Sequence, residues 1–301
     1  MRGIPLQKES KRTISAKRVR RFESIFSCPV CDSSMTVQEY QRLTCLNNHS
    51  FDIAKQGYLN LVTHAVATKY TKALFESRQR LMHEAGFFRP VTDRMIEMIN
   101  QSFGQTEEPI LILDSGSGEG SHLAYIRQSL KNDFGIKTDG VGIDISKEAI
   151  TVAAKYYSEL LWTVADLAKT PFKDQQFDLI LNLLSPSNYT EFDRLLKPNG
   201  VVIKVVPGSN YLKELRERVF GGSAKQNYSN HETVNLFKRH YQFVETMPVY
   251  ETVKLDQSAL QWLVEMTPLT WNVPKNELQS LSEHGFSELT LDLEILVGKN
   301  K

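Results

Sequence analysis

Ile110-Leu111-Ile112-Leu113-Asp114-Ser115-Gly116-Ser117-Gly118-Glu119-Gly120 is the stretch on which the fold turns. Four apolar, β-prone residues lead into an acid and then into three glycines at alternate positions. Glycine lets the backbone turn sharply and approach a ligand closely. The place where a parallel strand hands over to its helix is where such sheets bind nucleotides. A dinucleotide fingerprint needs G-x-G-x-x-G. Counted from Gly116, its third glycine would fall at position 121, which is Ser121. The pattern is therefore D-x-G-x-G-E-G, and alone it reads equally well as a tight turn.

Outward from this loop the pattern alternates. Apolar β-rich runs recur at Gly140-Val141-Gly142-Ile143, 160–164, 177–181 and 201–206, with room for helices between them. This is the β-α-β signature of an α/β fold with a doubly wound parallel sheet. Upstream, Leu74 to Ser102 reads as mostly helical, broken near Gly86 and Pro90. Downstream, Phe243 to Leu255 reads as a strand interrupted by Pro248, Ser258–Met266 and Lys275–His284 as helices, and Leu289–Val297 as a last strand.

The strand after the glycine loop ends in Asp144, 28 positions beyond Gly116. A carboxylate there can accept hydrogen bonds from both hydroxyls of a ribose. Leu195-Leu196-Lys197-Pro198-Asn199-Gly200 precedes the fifth run. Glycine loop, acid and turn, in this order, resemble the seven-stranded, S-adenosylmethionine-dependent methyltransferases, whose turn is L-K-P-G-G. Asn199 replaces one of its glycines. The resemblance places Asp166 and Leu167 near the adenine.

All three cysteines of the chain lie in one short segment, as Cys28-Pro29-Val30-Cys31 and Cys45-Leu46-Asn47-Asn48-His49. The spacing C-x2-C-x13-C-x3-H offers one zinc ion the four soft or borderline ligands Cys28, Cys31, Cys45 and His49. Four protein ligands leave no open position, so the site reads as structural. Short strands around Thr36–Val37 and Arg42–Leu43 would separate the two turns, and 57–62 would close the ribbon.

Composition suits one large domain with a small appendage. No run approaches the length of a membrane span, and no apolar segment follows the N-terminal basic residues, so neither membrane nor secretory signal is expected. Few cysteines at metal spacing suit a reducing cytoplasm. The net charge of +1 hides an asymmetry: 14 basic and 6 acidic residues in 1–80, against 22 and 29 in 81–301. A basic front on an acidic body fits a polyanion, and residues 1–24 read equally as a solvated, disordered tail. Four regions are expected: a basic arm at 1–24 containing Lys8, Lys11, Arg12, Lys17, Arg18, Arg20 and Arg21; a zinc ribbon at 25–62; linker and helices at 63–105; and the methyltransferase domain at 106–301.

Ribbon and methyltransferase together resemble the RlmA (RrmA) family of 23S rRNA guanine-N1 methyltransferases. The likeness runs from about 25 to 300 and rests on CPVC, on Cys45 to Asn60 (CLNNHSFDIAKQGYLN), on Ala85-Gly86-Phe87-Phe88-Arg89-Pro90, on Ser185-Pro186-Ser187-Asn188, on Pro207–Leu212 and on Met266-Thr267-Pro268. The arm lies outside the family pattern. Ser117 stands where cysteine is frequent, and Tyr211 where some members have histidine.

The resemblance implies that zinc holds a module gripping an rRNA hairpin, and that Asp114, Gly116, Gly118, Glu119, Gly120 and Asp144 hold S-adenosylmethionine. Phe88 and Tyr211 would line its methionine half, or serve as core aromatics. Asn182, Ser185 and Asn188, after strand four, would lie near the reacting methyl; Asn188 or Ser187 equally suits a helix cap. Lys17, Arg18, Arg20 and Arg21 of the arm, with Arg78 and Arg80 of the linker helix, would meet phosphates, or form a solvated face. A homodimer fits the family. One branch is linked with macrolide resistance, and the run LNLLSPSN at 181–188 leans towards the Gram-positive members. Two other readings stand beside this one: a methyltransferase of small molecules, and a ribosome-binding factor without activity.

Overall fold

The computed structural model describes residues 9–299 except 67, 224–225, 242, 285 and 287. Lys8 of the basic arm lies outside the described residues.

The body is one sheet of eight strands in the order β10-β11-β9-β8-β5-β6-β7-β4. Six are mutually parallel: β4 (Leu59–Asn60), β5 (Ile110–Ser115), β6 (Thr138–Asp144), β7 (Leu161–Val164), β8 (Phe177–Leu183) and β9 (Leu196–Pro207). β11 (Glu288–Lys299) runs antiparallel between β9 and β10 (Phe243–Lys254). Pro248 does not interrupt β10: it keeps register with Glu294 on an edge strand, the place in a sheet where proline is tolerated.

Seven of these strands match the sequence expectation. The eighth, β4 (Leu59–Asn60), corrects it: these residues leave the ribbon and pair in parallel with β7 through Leu59–Thr163 and Asn60–Val164. An isolated bridge, Ile53 to Leu59, ties β4 back to the ribbon. Capping the open edge of β7 hides backbone groups that would otherwise invite another strand.

Helices cover both faces: α2 (Lys72–His83), α3 (Arg89–Phe103), α4 (Ser121–Phe134), α5 (Lys147–Tyr156), α6 (Tyr189–Leu195), α7 (Lys213–Phe220), α8 (His231–His240), α9 (Gln257–Met266) and α10 (Lys275–His284). Two apolar cores result. Ile112, Trp162, Leu181 and Ile203 lie in one; Leu113, Ile143, Ile180 and Val202 lie in the other, as alternation along buried strands requires. Among the described residues, no helix is long and apolar enough to cross a membrane.

The ribbon carries its own antiparallel sheet of β1 (Met35–Gln38), β2 (Arg42–Cys45) and β3 (Ser50–Asp52). Its apolar side joins the second core, where Phe26, Leu43 and Ile53 meet Leu161 and Phe172. In front stands α1 (Lys11–Arg21), started by Ser10, whose hydroxyl accepts the N–H of Thr13. The arm is thus a packed helix, with Ala16 and Val19 buried in the same core.

Candidate active site and metal centre

The four zinc-ligand candidates converge, with all ligand atoms within 4.8 Å of one another. A tetrahedral site with metal–sulfur distances of ~2.3 Å and metal–nitrogen of ~2.0 Å spaces its sulfurs about 3.8 Å apart and sulfur from nitrogen about 3.5 Å. Cys31 Sγ lies 3.7 Å from Cys45 Sγ. His49 Nδ1 lies 3.6, 3.3 and 3.5 Å from the sulfurs of Cys28, Cys31 and Cys45. These four distances match four of the six edges of a zinc tetrahedron. Ser33 Oγ and Asn47 Nδ2 sit 3.4 and 3.3 Å from Cys31 Sγ, and their hydrogen bonds hold that thiol down to about 5, in the thiolate form that binds metal.

The glycine loop links β5 to α4. Gly116 and Gly118 both take positive φ, 79° and 56°. A Cβ at Gly116 would run into Ser185 Oγ, and one at Gly118 into the guanidinium of Arg78. Only glycine combines this backbone with this closeness. Asp144, at the end of β6, accepts the Gly118 N–H at 2.9 Å and the Ser146 N–H at 2.8 Å. Leu167 packs beside Gly116, while Asp166 caps a turn by accepting the Ala168 N–H at 2.8 Å.

Arg78 stands at the centre of this cleft. The sequence suggested an outward-facing residue, meeting RNA phosphates or forming a solvated helix face. Instead α2 turns it inward, where its Nη1 lies 2.5 Å from Glu119 Oε2 and the side chains are 16% and 1% exposed. Burial pulls the guanidinium down, but the carboxylates of Glu119, Asp114 and Asp144 outweigh it and leave Arg78 above its ordinary value. Burial pushes the Asp114 carboxyl up to about 7, against the pull of Arg78. Burial and the nearby Arg78 charge lower His122 to about 3, so its imidazole is neutral.

The cleft fits the expected cofactor. Glu119 Oε1 and Ser117 Oγ are buried on the glycine loop without a hydrogen-bond partner among the described residues. Such orphans are uncommon unless a ligand meets them. A ribose with donating hydroxyls and an amino acid with ammonium and carboxylate would find acceptors at Asp114, Glu119 and Asp144 and a cation at Arg78. Tyr211 is half-buried near Arg78, whose charge counters the rise that burial gives its phenol. Phe88 is 1% exposed and packs edge-on against Phe87 and His122, as a core aromatic does.

After β8 the chain folds over Gly116. Asn182 is fully buried; its Nδ2 donates to the carbonyls of Ser115 and Pro186, both at 3.0 Å, and its Oδ1 accepts from Ser187 Oγ and Lys204 Nζ. It has nothing left to offer a substrate and acts as a brace. Asn188 is the cap of α6, accepting the Glu191 N–H, and it donates to the Ala168 carbonyl. Ser185 alone of the three points its hydroxyl at the glycine loop.

The basic residues of α1 divide between two modules. Arg18 donates to the Ser158 carbonyl, and Arg21 pairs with Asp139 at 2.7 Å, both on the body. Arg20 donates to Tyr40 OH at 2.8 Å on the ribbon, and Lys17 pairs with Glu9 within the helix segment. Arg80 lies over the Trp262 ring at 6.0 Å.

Residues 26–69 match the family model for the RlmA N-terminal zinc ribbon, and 112–200 match a methyltransferase domain. A Bacillus subtilis protein, YxjB, provisionally named a 23S rRNA (guanine-N(1)-)-methyltransferase, is 43% identical over 91% of this chain and 97% of its own length. The chain belongs to the RlmA family. The 23S rRNA (guanine(748)-N(1))-methyltransferase of Streptomyces fradiae is 28% identical over 90% of this chain and 95% of its own.

Two features of this RlmA-family chain escape sequence reasoning. Arg78 is one of two arginines on a helix, and nothing local tells which faces inward. Lys204 sits alone in an apolar strand, Val201-Val202-Ile203-Lys204-Val205-Val206, and is 3% exposed. The one signal available was that oddity: a lysine at a position where its neighbours form the core.

Proposed function

We propose that this chain transfers a methyl group from S-adenosylmethionine to N1 of a guanine in a hairpin of 23S rRNA. The observation that carries this reading is β4. It runs the chain from the zinc ribbon directly into the sheet that holds the glycine loop, and the ribbon's apolar side shares a core with that sheet, so a hairpin gripped by the ribbon is held at a fixed position relative to the cleft. That is the alignment an in-line displacement needs.

S-adenosylmethionine supplies an electrophilic methyl on a sulfonium. In this reading Asp144 binds the ribose, with Leu167 beside the loop, and Arg78 binds the carboxylate of the amino-acid half. Asp114 and Glu119 suit its ammonium. Ser185 frames the space where a base taken out of its stack would enter. Guanine N1 carries a proton near neutral pH, which a base or a path to solvent must take up.

Phosphate contacts fall to the basic groups not sunk into the body: Arg12, Lys17, Arg20 and Arg80, with Arg18 and Arg21 anchoring the helix that presents the first three. Their contribution falls with salt and carries no sequence information. A second copy of the chain would extend this surface for a long hairpin. The same reading places the enzyme in the cytoplasm with the ribosome and makes macrolide susceptibility a phenotype to score.

Primer extension on large-subunit rRNA from cells with and without the gene tests the reading. Methylation at N1 blocks base pairing, so reverse transcriptase stops. The stop should vanish in the deletion and return with wild type but not with Asp144→Ala. Unchanged stops would remove the N1-rRNA reading and favour a small-molecule acceptor.

A further inference from the structure

Lys204 lies in the middle of β9, 3% exposed. Alternation puts it on the same side of the sheet as Val202 and Val206, in the core that also holds Tyr189, Phe237, Tyr241 and Leu296. A buried ammonium is costly unless it is paired and hydrogen-bonded. No carboxylate bonds to Lys204 among the described residues. Its Nζ donates instead to Asn182 Oδ1 at 2.6 Å and to the Ser185 carbonyl at 3.1 Å. Of its three N–H groups, the third meets no protein acceptor among the described residues.

Both acceptors belong to the segment between β8 and α6. Asn182 stands opposite Lys204 in the parallel register and ties the end of β5 to the loop through Ser115 and Pro186. Leu184, just before Ser185, takes a left-handed φ of 51°, a backbone state that persists only where neighbours hold it. Ser185 then reaches over Gly116. One ammonium therefore joins the strand β9, the brace Asn182 and the loop that faces the cofactor's glycines.

We propose that Lys204 is a positioning residue for methyl transfer, holding the Ser185–Asn188 loop against Gly116 so that acceptor and cofactor meet at a fixed separation. This rests on the methyltransferase reading above. A loop free to drift by about 1 Å can lower a rate by about 100-fold.

Burial brings Lys204 down to about 8, so its charge changes within reach of an assay. The other titratable groups on elements packed over this face are engaged or stay uncharged there. Burial raises the phenols of Tyr189 and Tyr241. Asp193 is bound by His240, Glu191 by Arg194, and Glu294 accepts from Asn230. Asp114 lies on the opposite side of the sheet, with Ile110 and Ile112.

The test compares full-length wild type, Lys204→Met and Lys204→Arg. Methylation of a transcribed 23S hairpin should show kcat down about 100-fold in Lys204→Met, with the Kd for S-adenosylmethionine within about twofold. Lys204→Arg should recover most of the rate, and the ratio of its kcat to that of wild type should rise above about pH 8. Amide exchange at 187–189, read on protein with S-adenosylmethionine and no RNA, separates this inference from the substrate reading. Fast exchange in Lys204→Met but not in Lys204→Arg supports it even if no RNA is methylated. Equal protection in both, or a Lys204→Met kcat near wild type, overturns it. Should Lys204→Met fail to fold, the pH ratio and exchange of Lys204→Arg decide: a flat ratio with wild-type exchange overturns it.

Discussion

Arg78 Nη1 and Glu119 Oε2 lie 2.5 Å apart inside the cofactor cleft, the one from the helix that follows the ribbon, the other from the glycine loop. Removing one partner of a buried pair leaves the other charge uncompensated and costs about 3–5 kcal/mol. Arg78→Met should therefore lower stability and, on the proposal that this cation holds the carboxylate of the cofactor's amino-acid half, weaken S-adenosylmethionine binding by tenfold or more, about 1.4 kcal/mol. Calorimetry at a temperature where the variant is folded separates the two effects. A variant that loses stability but keeps its affinity would confine Arg78 to structure.

Zinc removal should act on the ribbon and spare the cleft. Structural zinc in small modules is worth about 10–16 kcal/mol of folding free energy, and the sheet β1-β2-β3 has little core of its own. Cys45→Ser should lose one zinc per chain by atomic absorption and lose hairpin affinity. Binding of S-adenosylmethionine should hold within severalfold, because β5 also packs through Ile110 and Ile112 in the first core, away from the zinc turns. Loss of both activities together would mean that β4 transmits ribbon unfolding to the sheet.

The α1 helix gives a contrast between packing and charge. Ala16 is fully buried and Val19 nearly so, whereas Arg21 is 64% exposed in its pair with Asp139. Ala16→Asp should destabilise the protein by about 2–3 kcal/mol through a buried unpaired charge. Arg21→Ala should cost about 1 kcal/mol or less, as exposed pairs do. Urea melts of the two variants check this; equal effects would return α1 to the role of a loose arm.

What the sequence made legible was local. The zinc quartet could be read because its ligands sit in two short turns, and the glycine loop because strand, acid and glycines are contiguous. What stayed hidden depends on register and rotation. Asn182 meets Lys204 only because β8 and β9 align in one particular register. Arg78 faces inward through the rotation of α2, which spacing alone does not fix. The arm holds few apolar residues, and its burial of Ala16 and Val19 needs the groove between ribbon and β7 to exist first. Residues 57–62 suggested a ribbon strand, yet Leu59 and Asn60 serve the larger sheet, whose open edge is set by residues about a hundred positions away.

On the proposal that Asp114 holds the ammonium of the cofactor's amino-acid half, cofactor binding should depend on pH. Its carboxyl is 2% exposed and burial raises it to about 7. An ionised Asp114 favours the ammonium of the amino-acid half, and a protonated one does not. Affinity for S-adenosylmethionine should therefore rise as pH climbs from about 6 to about 8. The stability of the free protein should run the other way. A carboxyl whose folded value lies above its unfolded one contributes stability that is full below the unfolded value and is lost as pH rises through the folded one. Between about 4 and 7 the native state therefore holds a proton that the unfolded chain has released, and stability falls. Asp114→Asn should flatten both profiles while lowering affinity at pH 8. Calorimetric titrations and melts at matched pH values would show it, and a wild-type affinity that does not change across this window would remove Asp114 from the cofactor's amino-acid site.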